Sequence, residues 1–104
     1  MKTANVFVHG QLAGQLEELE SGRKYRFVYQ SGYDGPPVSL TMPTSLSEYP
    51  VDRFPPFFEG LLPEGVMLEG LLKQNKIDRL DCFSQLMAVG GDLVGAVTVK
   101  EVVA

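Results

Sequence analysis

Two stretches of punctuation fix what this sequence can fold into. The first is Pro55-Pro56-Phe57-Phe58-Glu59-Gly60-Leu61-Leu62-Pro63-Glu64-Gly65, and the second is Gly90-Gly91-Asp92-Leu93-Val94-Gly95-Ala96-Val97. In the first, Phe57, Phe58, Leu61 and Leu62 share one face of a short helix. Pro63 disfavours helix at Leu62 yet suits a first helical position, so the chain turns a corner there and restarts. Glu64 then falls in a new first turn, where the helix dipole favours a carboxylate. Met67, Leu68, Leu71 and Leu72 continue the apolar face, which predicts a helix over 64–74. Before the second stretch, Asp78 is a good N-cap, with Leu80, Phe83 and Met87 on a buried face, so a helix is expected over 79–89. Gly90-Gly91 stops that helix in the manner of a glycine just past the last turn. The small and β-branched run behind it predicts a strand over 93–99.

The residues before Pro55 read differently, because their apolar period is two. Val6 and Val8 oppose Asn5, Phe7 and His9, the turn His9-Gly10-Gln11 follows, and 12–17 returns, giving a hairpin over 4–17. Gly14 inside the return strand points to a bulge or a close backbone approach. After a polar turn, Tyr25, Phe27 and Tyr29 alternate with Arg26 and Val28, the strongest strand signal in the chain. Asp34-Gly35-Pro36-Pro37 is a turn, and Val38–Thr41 is expected as a short edge strand between prolines. Residues 42–56 read as an ordered surface loop. The expected fold class is α+β: an antiparallel sheet of hairpin, aromatic strand and C-terminal strand, with two or three short helices on one side.

At 104 residues, 44% apolar and 21% charged, the chain has room for one core, so 1–104 is expected to be a single domain. No apolar run approaches the roughly 20 residues that span a bilayer, and Met1–Gly10 alternates too strongly for a signal peptide. Cys82 is the one cysteine, so no disulfide framework exists and a cytoplasmic setting is expected. Thirteen acidic residues outnumber nine scattered basic ones, which argues against direct nucleic-acid binding and for a protein partner.

Residues that suggest chemistry have simpler readings. The glycines of 90–95 leave a helix and enter a strand, with no following Lys-Ser/Thr pair, unlike a phosphate cradle. His9 sits at a hairpin end without a nucleophile motif, and one His with one Cys does not make a zinc site. Cys82, beside Asp81, reads as a small packing residue. Glu59 and Glu64 lack the cleft that paired catalytic acids need. The Tyr25/Phe27/Tyr29 stripe lacks the cations of a base-stacking platform and reads as core. No kinase catalytic loop or Asp-Phe-Gly is present. No catalytic, metal or cofactor site is expected.

The two punctuated blocks together resemble the N-terminal domain of the HipA-like serine/threonine kinases of bacterial toxin–antitoxin modules. Gly10, Gly14 and Leu16 fit the family's hairpin, and Val38-Ser39-Leu40-Thr41-Met42-Pro43 resembles its "P-L-S-L-x-L-P" element. Since the sequence ends where the kinase core would begin, it also resembles the stand-alone HipS-type subunits of tripartite HipBST modules. That resemblance implies a non-catalytic subunit that binds a HipA-like (HipT) kinase lacking this domain and restrains it. It also implies a ternary complex with a HipB-like helix-turn-helix antitoxin. Related proteins often carry a tryptophan just after Leu-Pro-Glu-Gly; here that residue is Val66. The corner Pro63, Glu64, Gly65, Val66 and Met67 is the expected partner-binding site, with Phe57, Phe58, Leu61 and Leu62 supporting it from the core. A corner held by packed flanks projects, and loops on a rigid scaffold commonly carry binding residues.

Overall fold

The structure is a computed structural model and describes residues 2–93 and 95–102. Five strands, β1 (Lys2–Val8), β2 (Gln11–Glu20), β3 (Lys24–Tyr29), β4 (Glu48–Val51) and β5 (Val97–Glu101), form one antiparallel sheet. Their order is β4-β3-β2-β1-β5, so β1 lies between its hairpin partner and the last strand. Three helices, α1 (Pro56–Glu59), α2 (Gly65–Asn75) and α3 (Cys82–Val89), pack on one side, which is the α+β arrangement expected. No helix of the described residues is long and apolar enough to cross a membrane.

The period-two pattern places the core. Ala4, Val6 and Val8 of β1, Leu16 of β2, Tyr25, Phe27 and Tyr29 of β3 and Val97 and Val99 of β5 are all buried. Phe58 and Phe83 close over them from α1 and α3. The opposite face of the sheet carries polar pairs: Gln15 Nε2 donates to Asn5 Oδ1 (3.1 Å), Arg26 Nε donates to Glu17 Oε1 (2.7 Å), and Arg26 Nη1 lies 3.4 Å from Glu48 Oε1. The first hairpin turns on His9 and Gly10, both at positive φ (51° and 80°), the geometry of a two-residue turn matched to strand twist. Val6 pairs with Gly14 but Phe7 with Leu12, so Ala13 is the extra residue of a bulge. Gly14 also lies against β3, since a Cβ there would stand 2.2 Å from the Val28 carbonyl oxygen. Of the two alternatives for Gly14, the close approach is its own, and the bulge falls on the neighbouring Ala13.

Elsewhere the expected elements shift. Val38–Thr41 is not a strand: Ser39 and Met42 close a tight turn (3.0 Å), and Val38 is held by its N–H donating to the Tyr29 hydroxyl (2.9 Å). That hydroxyl in turn donates to the Met42 carbonyl. The edge strand is β4 instead, inside the segment expected as loop. Tyr29 N–H donates to Ser47 O (2.9 Å), and the register runs on to place Pro50 opposite Arg26. Alternation then turns the Pro50 nitrogen away from β3, the one side of an edge strand where a missing N–H costs nothing. α3 is capped by Asp81, whose carboxylate accepts from Ser84 N–H (3.1 Å), not by Asp78. Asp78 instead turns the preceding loop by accepting from Leu80 N–H (2.8 Å). Leu80 is consequently 84% exposed, while Gln85 and Leu86 join Phe83 in the interior.

The glycine pair also acts for a different reason than expected. Gly90 keeps right-handed helical backbone (φ −56°) and opens a 3-10 turn over Gly90–Asp92. β5 begins at Val97, four residues later than the expected 93; Val94 lies outside the described residues. His9 N–H donates to Ala96 O (2.8 Å) and Val102 N–H to Thr3 O (2.9 Å), so the groups of Val97 and Val99 face away from β1. The 3-10 turn covers that outer edge: a Cβ on Gly90 would stand 2.2 Å from the Val99 oxygen. Gly90 is there for space.

Glu18, buried at the end of β2, accepts a hydrogen bond from the Tyr25 hydroxyl (3.0 Å). Burial first, and then this carboxylate, push the Tyr25 phenol up; burial also raises Tyr29 and Tyr33. Unfolded tyrosines ionise near 10.0 while these keep their protons, so the stabilisation is complete below that pH and declines above it. Urea midpoints should therefore fall as the pH rises above about 10, less steeply in Tyr25→Phe. An unchanged slope in the variant would mean that Tyr25 plays no part in the alkaline loss.

Candidate functional site

The corner is built by a core anchor followed by a backbone break. Pro56 opens α1 at a position where its missing N–H is harmless, and Phe58 is fully buried against Phe27 (ring centroids 6.0 Å) and Phe57 (5.2 Å). Leu61 and Leu62 continue the turn through bonds to Phe58 O and Glu59 O (both 3.1 Å) and pack, half-buried, on the core. Beyond them Glu64 is extended (φ −128°, ψ 164°) and Gly65 is left-handed (φ +59°). Helix α2 therefore starts at Gly65, with Glu64 as its N-cap; Pro63 precedes the helix and does not open it. The Glu64 side chain makes no capping bond.

The first turn of α2 presents an apolar surface. Val66 is 89% and Met67 76% exposed. The expected helix face of Met67, Leu68, Leu71 and Leu72 is present but not buried; no residue of α2 is buried, and its three leucines are half-exposed. Met67, Leu61, Pro63 and Gly60 form one wall of a groove of about 410 Å³, and Val89, Asp92 and Leu93 form the other. That second wall is the end of α3 and its 3-10 turn. Reading the glycines as a bare helix stop concealed it; the signal was the apolar pair Val89 and Leu93 flanking a turn that glycine lets lie flat.

The other candidates are not brought to this site. His9 is at the hairpin tip. Glu59 lies near Cys82 and, after burial, raises its thiol above the ordinary range, with Asp81 adding to the effect. This suits a packing residue and opposes a thiolate nucleophile. Among the described residues, no group of three or more His, Cys, Asp or Glu is placed to hold a metal ion. Tyr25, Phe27 and Tyr29 are core, as expected.

The model of the HipA N-terminal domain matches residues 4–100. The chain belongs to the HipA N-terminal domain family. The matched span takes in β1 to β5, so the corner and both groove walls are parts of the HipA N-terminal fold. Among solved structures, the chain is similar to the "N-terminal domain of HipA toxin", with 30% identity and a TM-score of 0.76 over 99% of this chain and 94% of that one. It is also 33% identical over 101 residues to an uncharacterized protein of Haemophilus influenzae, covering 97% of this chain and 93% of that protein.

Proposed function

We propose that this HipA N-terminal domain, with 1–104 acting as one unit in the cytoplasm, is a non-catalytic, antitoxin-like subunit of HipS type. It binds a HipA-like (HipT) kinase that lacks its own N-terminal domain and restrains it, within a module that includes a HipB-like DNA-binding antitoxin. The observation that supports this reading is the apolar α2 surface. A helix with an apolar stripe and no buried residue lacks the partner that such a stripe ordinarily packs against. For a HipA N-terminal domain, a kinase is the natural partner.

Binding is tested on the exposed corner. Met67→Asp and Val66→Asp should each weaken capture of the truncated kinase by about 1–2 kcal/mol, roughly five- to thirty-fold. Melting temperature should hardly move, because exposed substitutions usually change stability by about 0.5 kcal/mol or less. Folded variants that bind as wild type would place the contact elsewhere. A second reading draws on Val66: a short aliphatic group stands where relatives often carry an aromatic anchor. On that reading the chain assembles kinase and HipB-like protein without silencing the kinase. Growth rescue separates the two, since co-expression relieves kinase toxicity only under the first.

A further inference from the structure

The groove beside the corner has a chemical character that goes beyond its exposure. Its walls are apolar, with Leu61, Pro63 and Met67 facing Val89 and Leu93, while the one charge in its lining is Asp92. Glu64 stands between Pro63 and Met67 on the exposed corner. Neither carboxylate lies within ion-pair distance of a cation among the described residues. Residues 59–72, which supply one wall, contain Glu59, Glu64 and Glu69 and no Lys or Arg; residues 88–96, which supply the other, contain Asp92 alone. Of these four acids, Glu69 is engaged by Arg79 on the exposed side of α2 and Glu59 lies near enough to Cys82 to raise its thiol. Lys73 is about 9 Å further along the helix axis from Met67. The site is thus an apolar slot with an uncompensated negative rim.

We infer that this groove receives an apolar side chain carried on a lysine- or arginine-rich segment of the kinase. The inference rests on the proposed kinase binding and adds the chemistry of the surface that enters. An apolar centre with a polar rim is the ordinary anatomy of a protein interface. Complementary rim charges act chiefly on the association rate and its salt dependence, whereas the buried group governs dissociation. The two carboxylates and Met67 should therefore produce different kinetic signatures.

The experiment measures association and dissociation of the full chain with a HipA-family kinase expressed without its N-terminal domain, at about 0.05 and 0.5 M salt. Wild-type association should slow by about tenfold between these salts. The double variant Glu64→Lys/Asp92→Lys should associate about tenfold more slowly at low salt and lose most of the salt dependence. Glu20→Lys/Asp34→Lys makes the same change in net charge away from the groove and should leave both near wild type. Met67→Ala should speed dissociation several-fold with little change in association. Equal rates and salt slopes for wild type and the Glu64/Asp92 variant would overturn the basic partner surface while leaving kinase binding intact. Absence of any binding by wild type would overturn the kinase reading itself, before a variant is made.

Discussion

Phe58→Ala should lower the stability of the domain by about 3–5 kcal/mol, the cost of removing a buried phenyl ring and leaving a cavity. The ring is fully buried and packs on Phe27, which itself meets Tyr29 edge-on at 4.9 Å between centroids. Phe58 is also the buried residue of α1 and ties the corner to the sheet. Much of a small domain's net stability of roughly 5–15 kcal/mol would go with it. Chemical denaturation is the measurement. A loss below about 1 kcal/mol would mean that α1 is not anchored through this ring. Phe57, half-buried beside it, should be the milder site. Binding by a Phe58 variant should fall in step with its folded fraction, unlike the Met67 and Val66 variants.

Gly90→Val should cost about 3 kcal/mol or more, whereas Gly91→Ala should be close to neutral. The two residues are adjacent and neither requires positive φ, so backbone freedom does not distinguish them. Space does. A Cβ at Gly90 would meet the Val99 oxygen at 2.2 Å, its carbonyl carbon at 3.0 Å and its Cβ at 3.2 Å, all on an ordered strand. At Gly91 nothing lies within 4 Å. Overpacking of this kind ordinarily costs about 1–3 kcal/mol, and a backbone obstacle that cannot rotate away places Gly90 at the upper end. Similar effects at the two sites would contradict the covered strand edge.

Much of the sheet is legible in the sequence because its signal is local. Val6 and Val8, then Tyr25, Phe27 and Tyr29, declare which face is buried by simple alternation, and cross-strand partners only confirm it. β4 escaped because the prolines in and around it, Pro43, Pro50 and Pro55, read as loop, although Pro50 occupies the one kind of strand position that tolerates it. The choice between Asp78 and Asp81 is not a local one. Both can cap a helix, and the winner is set by burial of Phe83, Gln85 and Leu86 against the sheet. The α2 stripe shows the limit most clearly. Its period names an apolar face but not what covers that face, and here the chain itself leaves it half-exposed. The second groove wall was hidden for the same reason, since Val89 and Leu93 are brought opposite Met67 by tertiary packing.

The position of β1 between β2 and β5 has a consequence for the route to the folded state. One neighbour, β2, follows it through a two-residue turn, so β1, β2 and β3 can assemble as a meander while later elements are still being synthesised. Its other neighbour, β5, comes after every helix, and this long-range closure should make sheet completion the slow step. Until then β1 presents an open edge bearing Ala4, Val6 and Val8, which invites pairing with another nascent chain. The 3-10 turn at Gly90 precedes β5 in the chain and shields that strand's outer side once it docks. The same short segment that finishes the sheet therefore also withdraws its most adhesive intermediate from circulation.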